Sequence, residues 1–66
     1  MAKKKTYSLI GVDGNAYCIM AYVTKAMEEC GYDDNKVNEY IKDAESSDYR
    51  HLLAVSQVMI MNCNSK

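Results

Sequence analysis

Val58-Met59-Ile60-Met61-Asn62-Cys63 decides how this 66-residue chain folds. Four apolar residues in a row carry no clear period. The run can extend a preceding helix or form a strand, and no Pro or Gly marks a break. The other end of the chain tips the balance. Thr6-Tyr7-Ser8-Leu9-Ile10 is rich in β-formers and stops at Gly11. As a strand it needs partners for its backbone N–H and C=O groups, and a second strand from Val58 to Cys63 supplies them. The expected fold is therefore α+β, in the order β-α-α-α-β. Three helices pack on a two-stranded antiparallel sheet formed by the chain ends.

Between the two runs, helix signals follow one another closely. Gly11-Val12-Asp13-Gly14-Asn15-Ala16 is a turn in which Asp13 and Asn15 are both good N-cap residues and Gly14 can take a positive φ. A first helix then runs from Ala16 to Cys30. Its apolar stripe is Ala16, Ile19, Met20, Val23, Met27 and Cys30. Gly31 suits the left-handed position past the helix end, which puts Tyr32 in reach of Met27. Asp33 caps the next helix, with Tyr32 and Val37 as its hydrophobic staple. Val37, Tyr40, Ile41 and Ala44 form the second stripe. In Ser46-Ser47-Asp48, Ser47 is taken as the cap of a third helix and Asp48 as its first residue, where a negative charge suits the dipole. Tyr49, Leu52, Leu53 and Ser56 mark its inner face, with Val55 beside them.

This length holds one domain, residues 1–66, with residues 1–5 expected to be disordered. A domain so small buries only about 60% of its unfolded surface, so its stability is marginal. A two-stranded sheet leaves exposed edges, and edge pairing with a second copy points to a homodimer. The chain has six Tyr but no Phe or Trp, and five Met, which makes an adaptable core with polar handles. Cys18, Cys30 and Cys63 are odd in number and form no C-x-x-C, and Met1-Ala2-Lys3-Lys4-Lys5 leads into no apolar segment. Reduced thiols in a cytoplasmic protein are expected. No apolar run reaches the roughly 20 residues of a membrane span.

The net charge of −1 hides an asymmetry. Residues 28–48 carry Glu28, Glu29, Asp33, Asp34, Glu39, Asp43, Glu45 and Asp48 against Lys36 and Lys42, a balance of −6. The plain reading is a solvated helix face, with Tyr32 and Tyr40 packing between helices. The functional reading is a partner-binding face of Glu28, Glu29, Tyr32, Asp33, Asp34, Glu39, Tyr40 and Asp43. Tyrosine is enriched at interfaces, and the acids suit a partner protein with a basic surface, such as the groove in which a nuclease or helicase holds nucleic acid.

Other chemistries find less support. The Asp13-Gly14-Asn15 loop matches neither a phosphate-binding glycine motif nor a calcium loop. Cys18 or Cys30 with His51, oriented by Asp13 or Asp48, would make a nucleophilic dyad, but cysteines on helix stripes are more often core. Cys30, His51 and Cys63, with Asp33 as a fourth ligand, fit no zinc-finger spacing. Lys3-Lys4-Lys5 is the only basic cluster, and the acidic middle argues against phosphate contact. No catalytic residue, metal or cofactor is expected. Nucleic-acid binding through the lysine-bearing start is the alternative reading.

Leu9-Ile10-Gly11-Val12-Asp13-Gly14-Asn15-Ala16-Tyr17 and Ser46-Ser47-Asp48-Tyr49-Arg50-His51-Leu52-Leu53 are the most distinctive segments. With Gly31-Tyr32 between them, they resemble a family of small uncharacterised proteins of phages, prophages and mobile elements. The family pattern is L-I-G-x-D-G-N-A-aromatic, then a helix ending in glycine, then S-G-D-Y-x-H-L-L. Ser47 departs from it where glycine stands. The resemblance implies a setting, phage or mobile-element cargo in a bacterial cytoplasm, and no activity of its own. Small accessory proteins in that setting frequently act by binding and blocking a host protein, often a defence system such as a CRISPR nuclease, and a protein-binding inhibitor is the function expected. The structural motif residues Asp13, Gly14, Asn15, Asp48, Tyr49 and His51 are expected to lie together, with Asp48 and His51 bonded to backbone around Gly14 and Asn15.

Overall fold

A computed structural model describes residues 6–65; the disorder expected of residues 1–5 lies outside the described residues. Among the described residues there are three α-helices and no strand: α1 Ala16–Glu29, α2 Asp34–Ala44 and α3 Tyr49–Ser65. The α+β expectation is wrong, and both ends of the chain explain why.

At the C-terminal end, Val58 to Cys63 continues α3. Leu52, Ser56, Ile60 and Cys63 are buried at spacings of four, four and three, the repeat of one helix face. Ser56, expected on the inner face, carries the stripe on to Ile60 and Cys63; what hides the period in the sequence is the unbroken apolar run from Val58 to Met61. In the structure Ser56 is fully buried, and its Oγ lies 2.6 Å from the hydroxyl of Tyr40 on α2. The pair satisfies both groups inside the core.

At the N-terminal end, the backbone of residues 6–10 does need partners, but side chains supply them. The Tyr7 N–H donates to Asn64 Oδ1 at 2.7 Å, and Asn64 Nδ2 donates to the Tyr7 carbonyl at 2.8 Å. One carboxamide thus reproduces the two bonds that an antiparallel neighbour would exchange with Tyr7. The Ser8 N–H donates to the Tyr22 hydroxyl at 2.9 Å. The segment is a strap across α1 and α3, anchored by the buried Tyr7. It ends in a turn closed by Val12 N–H to Leu9 carbonyl at 3.1 Å, with Gly11 at φ 87°, a conformation that favours glycine. With no sheet edge among the described residues, the edge-pairing argument for a homodimer no longer applies.

The helix ends follow local chemistry. Asn15 caps α1, its Oδ1 accepting from Tyr17 N–H at 2.8 Å. Beyond α1, Gly31 N–H donates to Glu28 carbonyl and Tyr32 N–H to Met27 carbonyl, with Gly31 at φ 99°. These are the two bonds of a Schellman ending. Asp33 caps α2 through Lys36 N–H at 2.9 Å. The cap of α3 is Asp48 rather than Ser47: Asp48 Oδ1 accepts from His51 N–H at 3.0 Å, and the Asp48 carbonyl accepts from Leu52 N–H. A carboxylate caps at least as well as a hydroxyl and adds charge at the positive end of the dipole. Ser47 has a negative φ, so glycine is not needed there.

Each helix packs on the other two, and α1 with α3 makes the largest contact. Val23 and Met27 of α1 have no exposed surface. Around them lie Ile19, Met20 and Ala26 of α1, Val37, Tyr40 and Ala44 of α2, Leu52, Ile60 and Cys63 of α3, and Tyr7 of the strap. The buried Tyr40–Ser56 pair makes a test. Tyr40→Phe leaves the Ser56 hydroxyl without its partner and should cost about 1–3 kcal/mol in urea unfolding. Adding Ser56→Ala should recover most of that loss, because neither polar group then remains.

Candidate functional site

Tyr32, Lys36, Glu39, Tyr40 and Asp43, on one side, and α3, on the other, frame a groove of about 310 Å³. Its floor is the half-buried Val55 and Met59 of α3. One wall carries the exposed Lys36, Glu39 and Asp43 of α2, and Asn62 closes the far side. The wall follows from helix geometry, since residues three and four apart share a face. Lys36 Nζ sits 3.8 Å from Glu39 Oε1, with both side chains well exposed, so the pair is screened and weak. Asp43 Oδ1 lies 3.1 Å from His51 Nε2 on α3, which ties the two helices together across the groove end. The groove therefore presents an apolar floor beneath carboxylates.

Only part of the expected acidic face comes together here. Tyr32, Glu39, Tyr40 and Asp43 line the groove. Tyr40 is 3% exposed and belongs to the core; burial pushes its hydroxyl above the usual tyrosine range, against the lowering effect of the Ser56 bond. Asp33 is the cap of α2 and Asp34 lies in its first turn, so both act on the helix dipole. Glu28 is exposed near the end of α1. Glu29 serves the strap: its Oε1 accepts from the Tyr7 hydroxyl at 2.9 Å. Burial, then this bond to a carboxylate, raises Tyr7 above the tyrosine range. Val55, Met59 and Asn62 were not legible as site residues, because Met59 and Asn62 become a groove lining only when α3 runs past Val58.

The two distinctive segments do meet, through one side chain. The Tyr49 hydroxyl donates to the Gly14 carbonyl. Asp48 and His51 bond elsewhere, to the α3 cap and to Asp43. Asp13 Oδ1 accepts from Asn15 N–H at 2.9 Å and stiffens the turn before α1. A second groove, of about 320 Å³, lies between the starts of α1 and α3, where Tyr17, Asp48, Tyr49 and Leu52 face one another.

Of the Cys–His51 dyad weighed from the sequence, the histidine has Asp43 as its hydrogen-bond partner. Cys18 is exposed on α1, while Cys30 directs its Sγ to the Cys63 carbonyl at 3.6 Å. Among the described residues, no three His, Cys, Asp or Glu side chains are grouped so as to hold a metal ion. No described helix is long and apolar enough to cross a membrane.

The described residues thus define a three-helix bundle with an N-terminal strap and an acidic, apolar-floored groove. Compared with known protein families, with curated proteins and with solved structures, the chain matches none.

Proposed function

We infer that the chain is a non-enzymatic protein-binding module whose α2–α3 groove takes a partner. The observation that carries this is the apolar floor of Val55 and Met59 lying directly under the carboxylates of Glu39 and Asp43. Such a surface suits a segment that inserts an aliphatic side chain and sets Lys or Arg against the wall. Apolar burial supplies affinity, and the opposed charges supply orientation and speed of encounter. Inhibition of a host defence protein in a phage setting rests on the sequence resemblance alone; the groove supports only the binding role. A basic, nucleic-acid-handling protein is the kind of partner whose surface fits.

The test is a photo-crosslinking amino acid at position 62, on the exposed rim, in bacterial cells. It should capture a defined protein, and Glu39→Lys with Asp43→Lys should reduce capture at least tenfold while leaving the melting temperature near that of the unmodified chain. Both carboxylates are exposed, and the Asp43–His51 contact is a solvent-exposed pair of small worth, so the fold loses little with them. Capture that survives charge reversal unchanged overturns the reading.

A further inference from the structure

The α2–α3 groove does not stop at Asp43. A second hollow, of about 330 Å³, adjoins it and is lined by Asp43, His51, Ala54, Val55, Val58 and Met59. Asp43, Val55 and Met59 belong to both hollows. Val55 and Met59 are four residues apart on α3, so they make one ridge along the helix. From that ridge one hollow reaches towards α2 and the other towards the exposed Ala54 and Val58. α3 carries no charged residue from Leu52 to Ser65, so the floor is apolar throughout. Charge enters at the border, from Lys36, Glu39 and Asp43 of α2 and from His51. Asp43 stands where the hollows join, with its Oδ1 on His51 Nε2. Its side chain is 57% exposed and that of Glu39 71%, so both carboxylates are open to a partner.

We propose that the two hollows form one recognition strip whose occupant is a basic amphipathic helix of a partner protein. The helix seats an apolar side chain on either side of the Val55–Met59 ridge and sets a Lys or Arg against Asp43. Shape and charge both select it. A ridge of residues four apart on one helix fits between rows of side chains on another, and apolar anchors laid into hollows are how helices are taken up by grooves. The carboxylates of Glu39 and Asp43 then orient the helix by its basic residues. A second copy of this chain offers no such helix. α1 has Lys25 against Glu28 and Glu29, and α2 has Lys36 and Lys42 against Asp34, Glu39 and Asp43. α3 has Arg50 in its first turn and no Lys or Arg beyond it. Nucleic acid would bring phosphates against the same carboxylates. The proposal rests on the binding role given to the α2–α3 groove and extends that site past Asp43 to Ala54 and Val58.

NMR titration of the isotope-labelled full chain tests it. The probe is a synthetic helical peptide of about 15 residues, with Leu at positions four apart on one face and Lys flanking them. The amides of Asp43, Ala54, Val55, Val58 and Met59 should shift together and saturate, with a dissociation constant between about 10 µM and about 1 mM. Val58→Ser should weaken binding about fivefold by removing apolar contact, with an unchanged helical spectrum because the position is exposed. Asp43→Asn should weaken it to a similar degree by removing the charge. Peptides with Glu for Lys, or Ser for Leu, should not bind. Three results overturn the proposal: no binding of the Leu–Lys peptide, shifts at Ala54 and Val58 that grow with the chain's own concentration before peptide is added, or the same shifts on adding a short DNA duplex. The extension and the groove fail separately. If Asp43→Asn weakens binding but Val58→Ser does not, and no shift reaches Ala54 and Val58, the extension is overturned and the α2–α3 groove keeps its role. If the Glu-bearing peptide binds as well as the Leu–Lys one, the charge-based role of the groove falls with it.

Discussion

Gln57→Pro should leave the chain largely unfolded. Gln57 is exposed in the middle of α3, so its side chain contributes little to packing. The effect comes from the backbone. Proline removes an N–H from the helical ladder and clashes with the preceding turn, at a cost of about 3 kcal/mol or more. A 66-residue domain has about 3–10 kcal/mol of total stability, so most or all of it is lost. The same substitution separates the two readings of the C-terminal run. In a chain with a strand from Val58 to Cys63, position 57 falls in the connection before the strand, where proline is acceptable. Circular dichroism and thermal melting decide between them. Loss of helical signal is expected, with Gln57→Ala as a control that melts at or slightly above the unmodified chain. A Gln57→Pro chain with native melting would restore the strand.

The difference between α3 and the other helices lies in where the information sits. The ends of α1 and α2 are set by residues next to them in sequence. Asn15 caps from one position outside, Gly31 takes the left-handed turn, and Asp33 closes on Lys36 N–H. Each is a short-range signal with one physical reading. α3 has two cap-competent neighbours, Ser47 and Asp48, and local propensity does not rank them securely. Its inner face is legible as far as Ser56, whose burial is tolerated because Tyr40, sixteen residues away, provides the hydroxyl partner, but the apolar run from Val58 to Met61 hides the period beyond. The strap is further from local reading still. Tyr7 meets Asn64 across 57 residues, and no period or propensity links the two. The demand for backbone partners was sound, but a side chain met it. The site divides in the same way. Glu39 and Asp43 are visible as acids four apart, while their apolar floor exists only once α3 is extended. Tyr40, in step with Val37 and Ala44, belongs to the buried stripe rather than the partner face.

Asn64→Ala should destabilise the fold by about 2 kcal/mol and free the strap. The carboxamide is half-buried and holds both the N–H and the carbonyl of Tyr7, at 2.7 and 2.8 Å. Alanine leaves two part-buried backbone groups without these partners, each worth about 1–3 kcal/mol if fully desolvated and less where water reaches it. Amide hydrogen exchange provides the local readout. The Tyr7 N–H should lose its protection, while amides in the middle of α1 should change only in line with global stability. Asn64→Asp sharpens the test. An ionised carboxylate still accepts from the Tyr7 N–H, but it cannot donate to the Tyr7 carbonyl and faces that oxygen with negative charge. At neutral pH the N64D chain should therefore be no more stable than N64A. Protonation restores a donor, so acidification through the carboxylate range should favour N64D over N64A measured at the same pH. The sign follows from linkage: a folded state that prefers the protonated carboxyl gains relative stability as pH falls and loses it as pH rises. If N64A and N64D track each other at every pH, the carboxamide is not acting as both donor and acceptor, and the strap is held by the burial of Tyr7 alone.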